Sequence, residues 1–142
     1  MPARIYLDSS AVIKRVIAES GSAELVATLD ICHNRGDLLV SSSLAWIEVT
    51  RGLRARVVGS AAEATAHADA ALSGVAEQPM SPQVVSLARR LNPAQLRSLD
   101  AIHLASAILL DADQVITYDD RLAAACVENG LVVSAPGVSL RQ

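Results

Sequence analysis

Asp8, Glu48, Asp100 and Asp119 are the residues of this sequence whose types and spacing could do chemistry. Each sits where a strand hands over to a helix or within the first turns of a helix. A fold that lines up those junctions would bring acids distant in the chain together. Like charges a few ångströms apart raise one another's pKa and destabilise a site unless a cation neutralises them. Oxygen-only, carboxylate-rich sites suit hard divalent ions such as Mg²⁺ or Mn²⁺, which keep several waters and complete their shells with substrate phosphate. The pattern therefore points to phosphodiester chemistry.

Each acid has a structural role to set against the chemical one. Asp8 follows a strand directly and could cap the next helix, but Ser9 and Ser10 are also available as caps. Asp119 and Asp120 are adjacent after another strand, so one of the pair would cap while the other faces a pocket. Glu48 has Arg51 three residues on, the spacing of a helical ion pair. Asp100 opens Asp100-Ala101-Ile102-His103-Leu104-Ala105-Ser106-Ala107, a helix apolar enough to be buried, so this acid needs a partner or the helix dipole. His103, one turn on, makes an Asp-x-x-His pair, and a histidine that orients its neighbours is favoured over a metal ligand. Ser10 and Thr117 are hydroxyls placed to hold carboxylates or a water, while His33 and His67 read as surface residues.

The elements that must position these acids alternate. Arg4 to Leu7 is a short strand ending at Asp8, and Val12, Ile13, Val16 and Ile17 follow at helical spacing. A second helix runs from Ser20-Gly21 to about Arg35 and is closed by Gly36. Leu38 to Val40 is a strand. Ser43 then caps a helix carrying Leu44, Ile47, Glu48, Leu53 and Val57, and an alanine-rich helix spans about Ala61 to Leu72. Val75 to Met80 reads as an edge strand because of Pro79, and Ser81-Pro82 opens another helix. Leu96 to Leu110 is the most apolar helix, Val115 to Tyr118 a strand, Arg121 to Asn129 a helix stopped by Gly130, and Leu131 to Val133 a last strand. Strands alternating with helices imply a mostly parallel sheet of four or five strands covered on both faces, a three-layer α/β/α sandwich. Sites in such sheets form outside the carboxyl ends of the strands, where Asp8 and Asp119 stand.

Composition fits one domain over residues 1–142 with a real core. Apolar residues make up 51 % of the chain, with no Phe and with Trp46, Tyr6 and Tyr118 as the aromatics, which argues against an aromatic stacking platform for single strands. No apolar stretch approaches the roughly 18 to 20 residues that span a bilayer, and no signal sequence opens the chain, so a soluble cytoplasmic protein is expected. Cys32 and Cys126 read as buried helical thiols. The net charge of −3 becomes +1 once the four candidate acids are set aside, leaving 11 acidic residues against 12 basic ones. All but Lys14 of that basic charge is arginine, which grips phosphate bidentately; Arg15, Arg51, Arg89, Arg90 and Arg97 are candidate phosphate contacts. The apolar excess on the helix after Asp8 suggests a partner groove or dimer contact.

Tyr6-Leu7-Asp8-Ser9-Ser10-Ala11, Glu48, the block Leu99 to Ala105, and Ile116-Thr117-Tyr118-Asp119-Asp120-Arg121-Leu122 with Gly130 and Pro136 behind it together resemble the PIN domain, and within it the VapC toxins of type II toxin-antitoxin pairs. The resemblance covers nearly the whole chain. It implies a Mg²⁺- or Mn²⁺-dependent endoribonuclease, inhibited by a small VapB-like antitoxin whose C-terminal tail obstructs the acidic pocket, and a homodimer. Carried over by position, it makes Asp8, Glu48, Asp100 and Asp119 the acidic quartet, with Ser10 and Thr117 in support. It favours Asp119 over Asp120 as the pocket acid.

Metal-assisted hydrolysis needs no protein nucleophile and would leave a 5′-phosphate and a 3′-hydroxyl, so preference for RNA would come from shape and contacts. A phosphotransferase of the Asp-x-Asp type would need an acid where this chain has Ser10 and a late lysine, and a receiver-like domain lacks the same lysine. A non-catalytic interaction module with the same fold is the remaining alternative.

Overall fold

A computed structural model of the chain describes residues 2–56 and 59–140. Its elements run β1 (Arg4–Leu7), α1 (Ser9–Lys14), α2 (Ser22–Asn34), β2 (Leu38–Ser42), α3 (Ser43–Arg56), α4 (Ala61–Ala71), β3 (Val75–Gln78), α5 (Pro82–Ala88), α6 (Ser98–Leu110), β4 (Gln114–Ile116), α7 (Asp120–Glu128) and β5 (Val133–Ser134). Alternation along β1 decides the layering. Ile5 and Leu7 point to one face of the sheet and Tyr6 to the other, as successive strand residues must. On the first face they join Val12, Leu25, Leu29, Val49, Leu53 and Ile116, drawn from helices α1 to α3 and β4. On the second, Tyr6 joins Leu104, Val115, Leu122 and Cys126 from α6, β4 and α7. Both cysteines are free and buried.

The sheet has five strands in the order β3-β2-β1-β4-β5, all pairs parallel. The chain winds outward from β1 through β2 to β3, then crosses back to place β4 on the other side of β1. That reversal creates a switch point between β1 and β4, where the loops leaving two neighbouring strands diverge and open a crevice. The register sets Leu7 opposite Ile116, so Asp8 and Thr117 leave the sheet level with each other. The three-layer parallel sandwich expected from the alternation is the fold observed.

Local chemistry departs from the sequence reading in several places. The first helix ends at Lys14, short of Ile17. Much of its apolar excess is core: Val12 and Ile13 are buried, and half-buried Val16 and Ile17 pack against the same cluster, while Ile13 also lines a cleft. Asp8, and not Ser9 or Ser10, caps α1, its carboxylate accepting from Ala11 N. Ser43 does not cap α3. Its hydroxyl donates to Glu77 and the carbonyl of Gln78, while the Ser42 hydroxyl accepts from Leu44 N at 3.1 Å. Val57, read as part of this helix, lies outside the described residues. Ser81 caps α5 with Pro82 in its first turn, and β3 is one of the two edge strands. In α6, Leu104 is fully buried, a burial that contributes about 1.5–3 kcal/mol.

Candidate active site

Asp8 stands at the switch point, 4 % exposed, with both oxygens engaged. Oδ1 accepts from Ser10 Oγ at 2.7 Å and Ala11 N at 3.1 Å, and Oδ2 accepts from Thr117 Oγ1 at 2.6 Å. Ser10 also accepts from Tyr118 N, and Thr117 from Asp119 N, so two hydroxyls stitch the ends of β1 and β4 around one carboxylate. Burial pushes the Asp8 carboxyl upward, and the charge of His103 and the three hydrogen bonds only partly offset it. A buried anion held up in this way is stabilised by any cation that reaches it.

Asp119 caps α7, its Oδ1 accepting from Leu122 N at 2.9 Å. The sequence left open which of Asp119 and Asp120 takes this role. Asp119 caps and also faces the other acids, since its charge is felt at Asp100, while Asp120 is exposed in the first helical turn. Asp100, half-buried in the first turn of α6, is raised by burial first and then by the charge of Asp119, against His103 and with a further push from Asp8. Asp100 therefore feels the charges of Asp119 and Asp8, which stand at the ends of two other elements.

Glu48 has a different partner from the one its neighbourhood suggested. Its Oε1 accepts from Ser9 Oγ at 2.6 Å and lies 2.7 Å from His103 Nε2, 55 residues away in the chain. Arg51 is exposed on the same helix, and Glu48 meets His103 instead. Burial works to raise the Glu48 carboxyl, but the bonds from His103 and Ser9 outweigh it and the net shift is downward. His103 is buried and also meets Tyr6 Oη through Nδ1 at 2.7 Å. Sequence reasoning missed Tyr6 and Ser9 as site residues. A tyrosine on the inward face of a central strand needs a hydrogen-bond partner, and that was the available signal for Tyr6.

The donor set is all oxygen, the chemistry of a hard divalent ion. Among the described residues, no group of three or more His, Cys, Asp or Glu side chains is placed to hold a metal ion unaided. Mg²⁺ or Mn²⁺ can be bound by one or two carboxylates with water and phosphate filling the rest.

The arginines divide. Arg15 donates to the carbonyls of Ala71 and Ser73 and ties α1 to the end of α4, a structural role in place of the phosphate contact expected. Arg51, Arg89, Arg90 and Arg97 are exposed, and Arg97 lies close enough to Asp100 to offset part of its shift. A cleft of about 330 Å³ adjoins the acids through Ser10 and is also lined by Lys14, Glu19, Arg56 and Tyr118. Lys14 Nζ sits 4.4 Å from the Tyr118 ring centre and donates to Glu19 and the carbonyl of Ser20.

Known proteins resemble this chain in sequence and fold. Residues 5–128 match the PIN domain family. Ribonuclease VapC46 of Mycobacterium tuberculosis is 41 % identical over 141 residues, spanning 94 % of this chain and 98 % of the relative. Ribonuclease VapC47 of the same species is 38 % identical over 135 residues, 94 % and 97 % of the two chains. Among solved structures, Rickettsia felis VapBC2 bound to a promoter DNA fragment superposes with a TM-score of 0.73 at 12 % identity, covering 94 % of this chain and 98 % of that one. Mycobacterium tuberculosis VapC20, described as a sarcin-ricin loop cleaving toxin, gives 0.71 at 17 % identity over 93 % and 99 %. With the acids at the switch point of a parallel sheet and a match over most of its length, the chain belongs to the PIN-domain family, among its VapC-type members.

Proposed function

We propose that this chain, acting as one PIN-like domain over residues 1–142, is a metal-dependent endoribonuclease toxin held in check by a VapB-like antitoxin. The observation that carries the reading is the convergence of acids at the switch point: Asp8 is buried with both oxygens held by Ser10, Ala11 and Thr117, and half-buried Asp100 feels the charges of Asp119 and Asp8. The names of relatives sharing about two fifths of their residues with this chain support the ribonuclease class. Asp8, Asp100 and Asp119, with Glu48 beside them, would hold Mg²⁺ or Mn²⁺. When bound, such an ion neutralises charge on the phosphate and lowers the pKa of water.

The residues of the chain do the positioning. Ser10 and Thr117 fix both oxygens of Asp8, Asp119 is fixed by its capping bond, and Ser9 with His103 keeps Glu48 ionised and oriented. Hydrolysis then uses water as nucleophile and leaves a 5′-phosphate and a 3′-hydroxyl. Ile47 and Leu99, next in the chain to Glu48 and Asp100, are 58 % and 49 % exposed, an apolar margin suited to a covering partner such as the antitoxin. Solved neighbours include toxin-antitoxin complexes. A homodimer and a cytoplasmic location belong to the same reading; no helix among the described residues is long and apolar enough to cross a membrane.

The test is cleavage of total cellular RNA by the purified, antitoxin-free chain with Mg²⁺, Mn²⁺ or EDTA, beside Asp8→Asn and Asp100→Asn. Discrete products that need metal and vanish in both variants are expected. No cleavage with either metal, or equal cleavage by the variants, overturns the assignment in favour of a non-catalytic interaction module.

A further inference from the structure

We infer that His103 is a positioning residue, locked by Tyr6 in the tautomer that carries its proton on Nε2, so that it presents an N–H donor to Glu48. The purpose assigned to Glu48 rests on the nuclease reading above; the tautomer does not.

The chain of donors has one consistent direction. Tyr6 is fully buried, and its Oη accepts from Ser42 N at 3.2 Å. His103 Nδ1 lies 2.7 Å from the phenol oxygen. Because the Glu48 carboxylate can only accept, the imidazole must offer it Nε2–H, and a neutral ring then takes the phenol proton at Nδ1. An imidazole that accepts at Nδ1 carries its proton at Nε2 when neutral, and Nε2 lies 2.7 Å from Glu48 Oε1. The two rings meet edge to face, with centroids 5.9 Å apart, so the imidazole cannot rotate without displacing a core tyrosine.

Two consequences follow for the site. Both nitrogens of His103 are committed, so Asp100-Ala101-Ile102-His103 is not a metal-ligand pair despite its spacing. Glu48 receives two donors on one oxygen, from Ser9 and His103, which fixes its rotamer from two separate elements. The opposite tautomer would turn a lone pair toward the carboxylate and release it.

Side-chain reach gives a specific test. A glutamine amide extends to where Nε2 stands and can donate to Glu48, whereas an asparagine amide extends only to the place of Nδ1. The test combines proton-nitrogen correlation spectra of the imidazole in the antitoxin-free chain, at a pH where the ring is neutral, with kinetics of His103→Gln and His103→Asn. The RNA is a synthetic oligonucleotide carrying the site that the wild-type chain selects. Expected are a protonated Nε2 and a bare Nδ1. Asparagine should lower kcat by about 10–100-fold with KM unchanged, the usual loss when a ligand-orienting partner is removed, and glutamine should keep most of kcat. A protonated Nδ1 in the wild type, or equal losses in the two variants with native spectra, overturns the inference. Should the wild type cleave nothing, the nuclease reading falls while the imidazole spectrum still decides the tautomer.

Discussion

The two ends of the same strands use aspartate in opposite ways. Before β1 and β2, Asp37 accepts from Ala3 N at 3.0 Å and from Arg35 Nη2 at 2.8 Å, and its carboxyl is held below the usual range, first by the Ala3 amide and then by Arg35. Asp113 accepts from Arg4 N at 2.8 Å and joins the start of β1 to the start of β4. These acids are stitches, each supplied with its own donors. At the carboxyl ends of the strands, Asp8 and Asp100 are pushed upward by burial, and Asp100 by two neighbouring acids as well. The lesson is that the residue type does not mark the site. An acid that burial and like charge push upward is a candidate for the site, because perturbed carboxyls cluster where a fold holds charge for use.

The contrast can be broken or sharpened by substitution. The largest effect expected is on cleavage: Asp100→Asn should lower kcat/KM by ~10²-fold or more, the scale of removing one preorganised electrostatic group, while Asp113→Asn at the other end leaves it near wild type. Initial rates on one RNA decide this. Next in size is the response to cation. Mn²⁺ at about 100 times its Kd should stabilise the wild type by ~2.7 kcal/mol, or roughly 8 °C at about 3 °C per kcal/mol for a chain of this length. Thermal melts should show that rise reversed by EDTA, absent in Asp8→Asn and retained in Asp37→Ala.

Smaller changes concern stability without metal. The native pKa of Asp8 lies above its ordinary 3.8, so the native state holds this proton to higher pH than the unfolded chain. Its stabilising contribution is complete below the unfolded value and lost as pH rises through the native one. In EDTA, the melting temperature of Asp8→Asn should therefore gain on the wild type as pH climbs from acid to neutral, and parallel curves would count against the shift. Asp37→Ala, which removes the acceptor of Ala3 N and Arg35, should lower the melting temperature with cleavage unchanged.

Much of this was legible in the sequence because it is periodic or local. Alternation in Arg4 to Leu7, the handover from strand to helix at Asp8, and the apolar run after Asp100 gave the layers and the rim. Choices settled by distant parts of the chain were not legible. Glu48 has Arg51 within one turn, yet the fold brings His103 from another helix into a better-buried contact. Ser9 and Ser10 have good capping chemistry, but each hydroxyl serves a carboxylate, Ser9 that of Glu48 and Ser10 that of Asp8, and Asp8 takes the cap. Val12 and Ile13 exceed one helical stripe because α1 is wedged among β1, α2, α3 and α4, a surrounding that helical periodicity does not encode.

The central claim, that the rim acids need a cation and the opposite acids do not, is tested most directly by where a paramagnetic ion goes. Sub-stoichiometric Mn²⁺ added to the ¹⁵N-labelled, antitoxin-free chain should broaden the amide signals of residues 8–11, 100–103 and 117–120 first, leaving those of residues 35–38 and 111–113 sharp. Broadening that begins around Asp37 or Asp113, or that spreads evenly over the surface acids, would contradict the account.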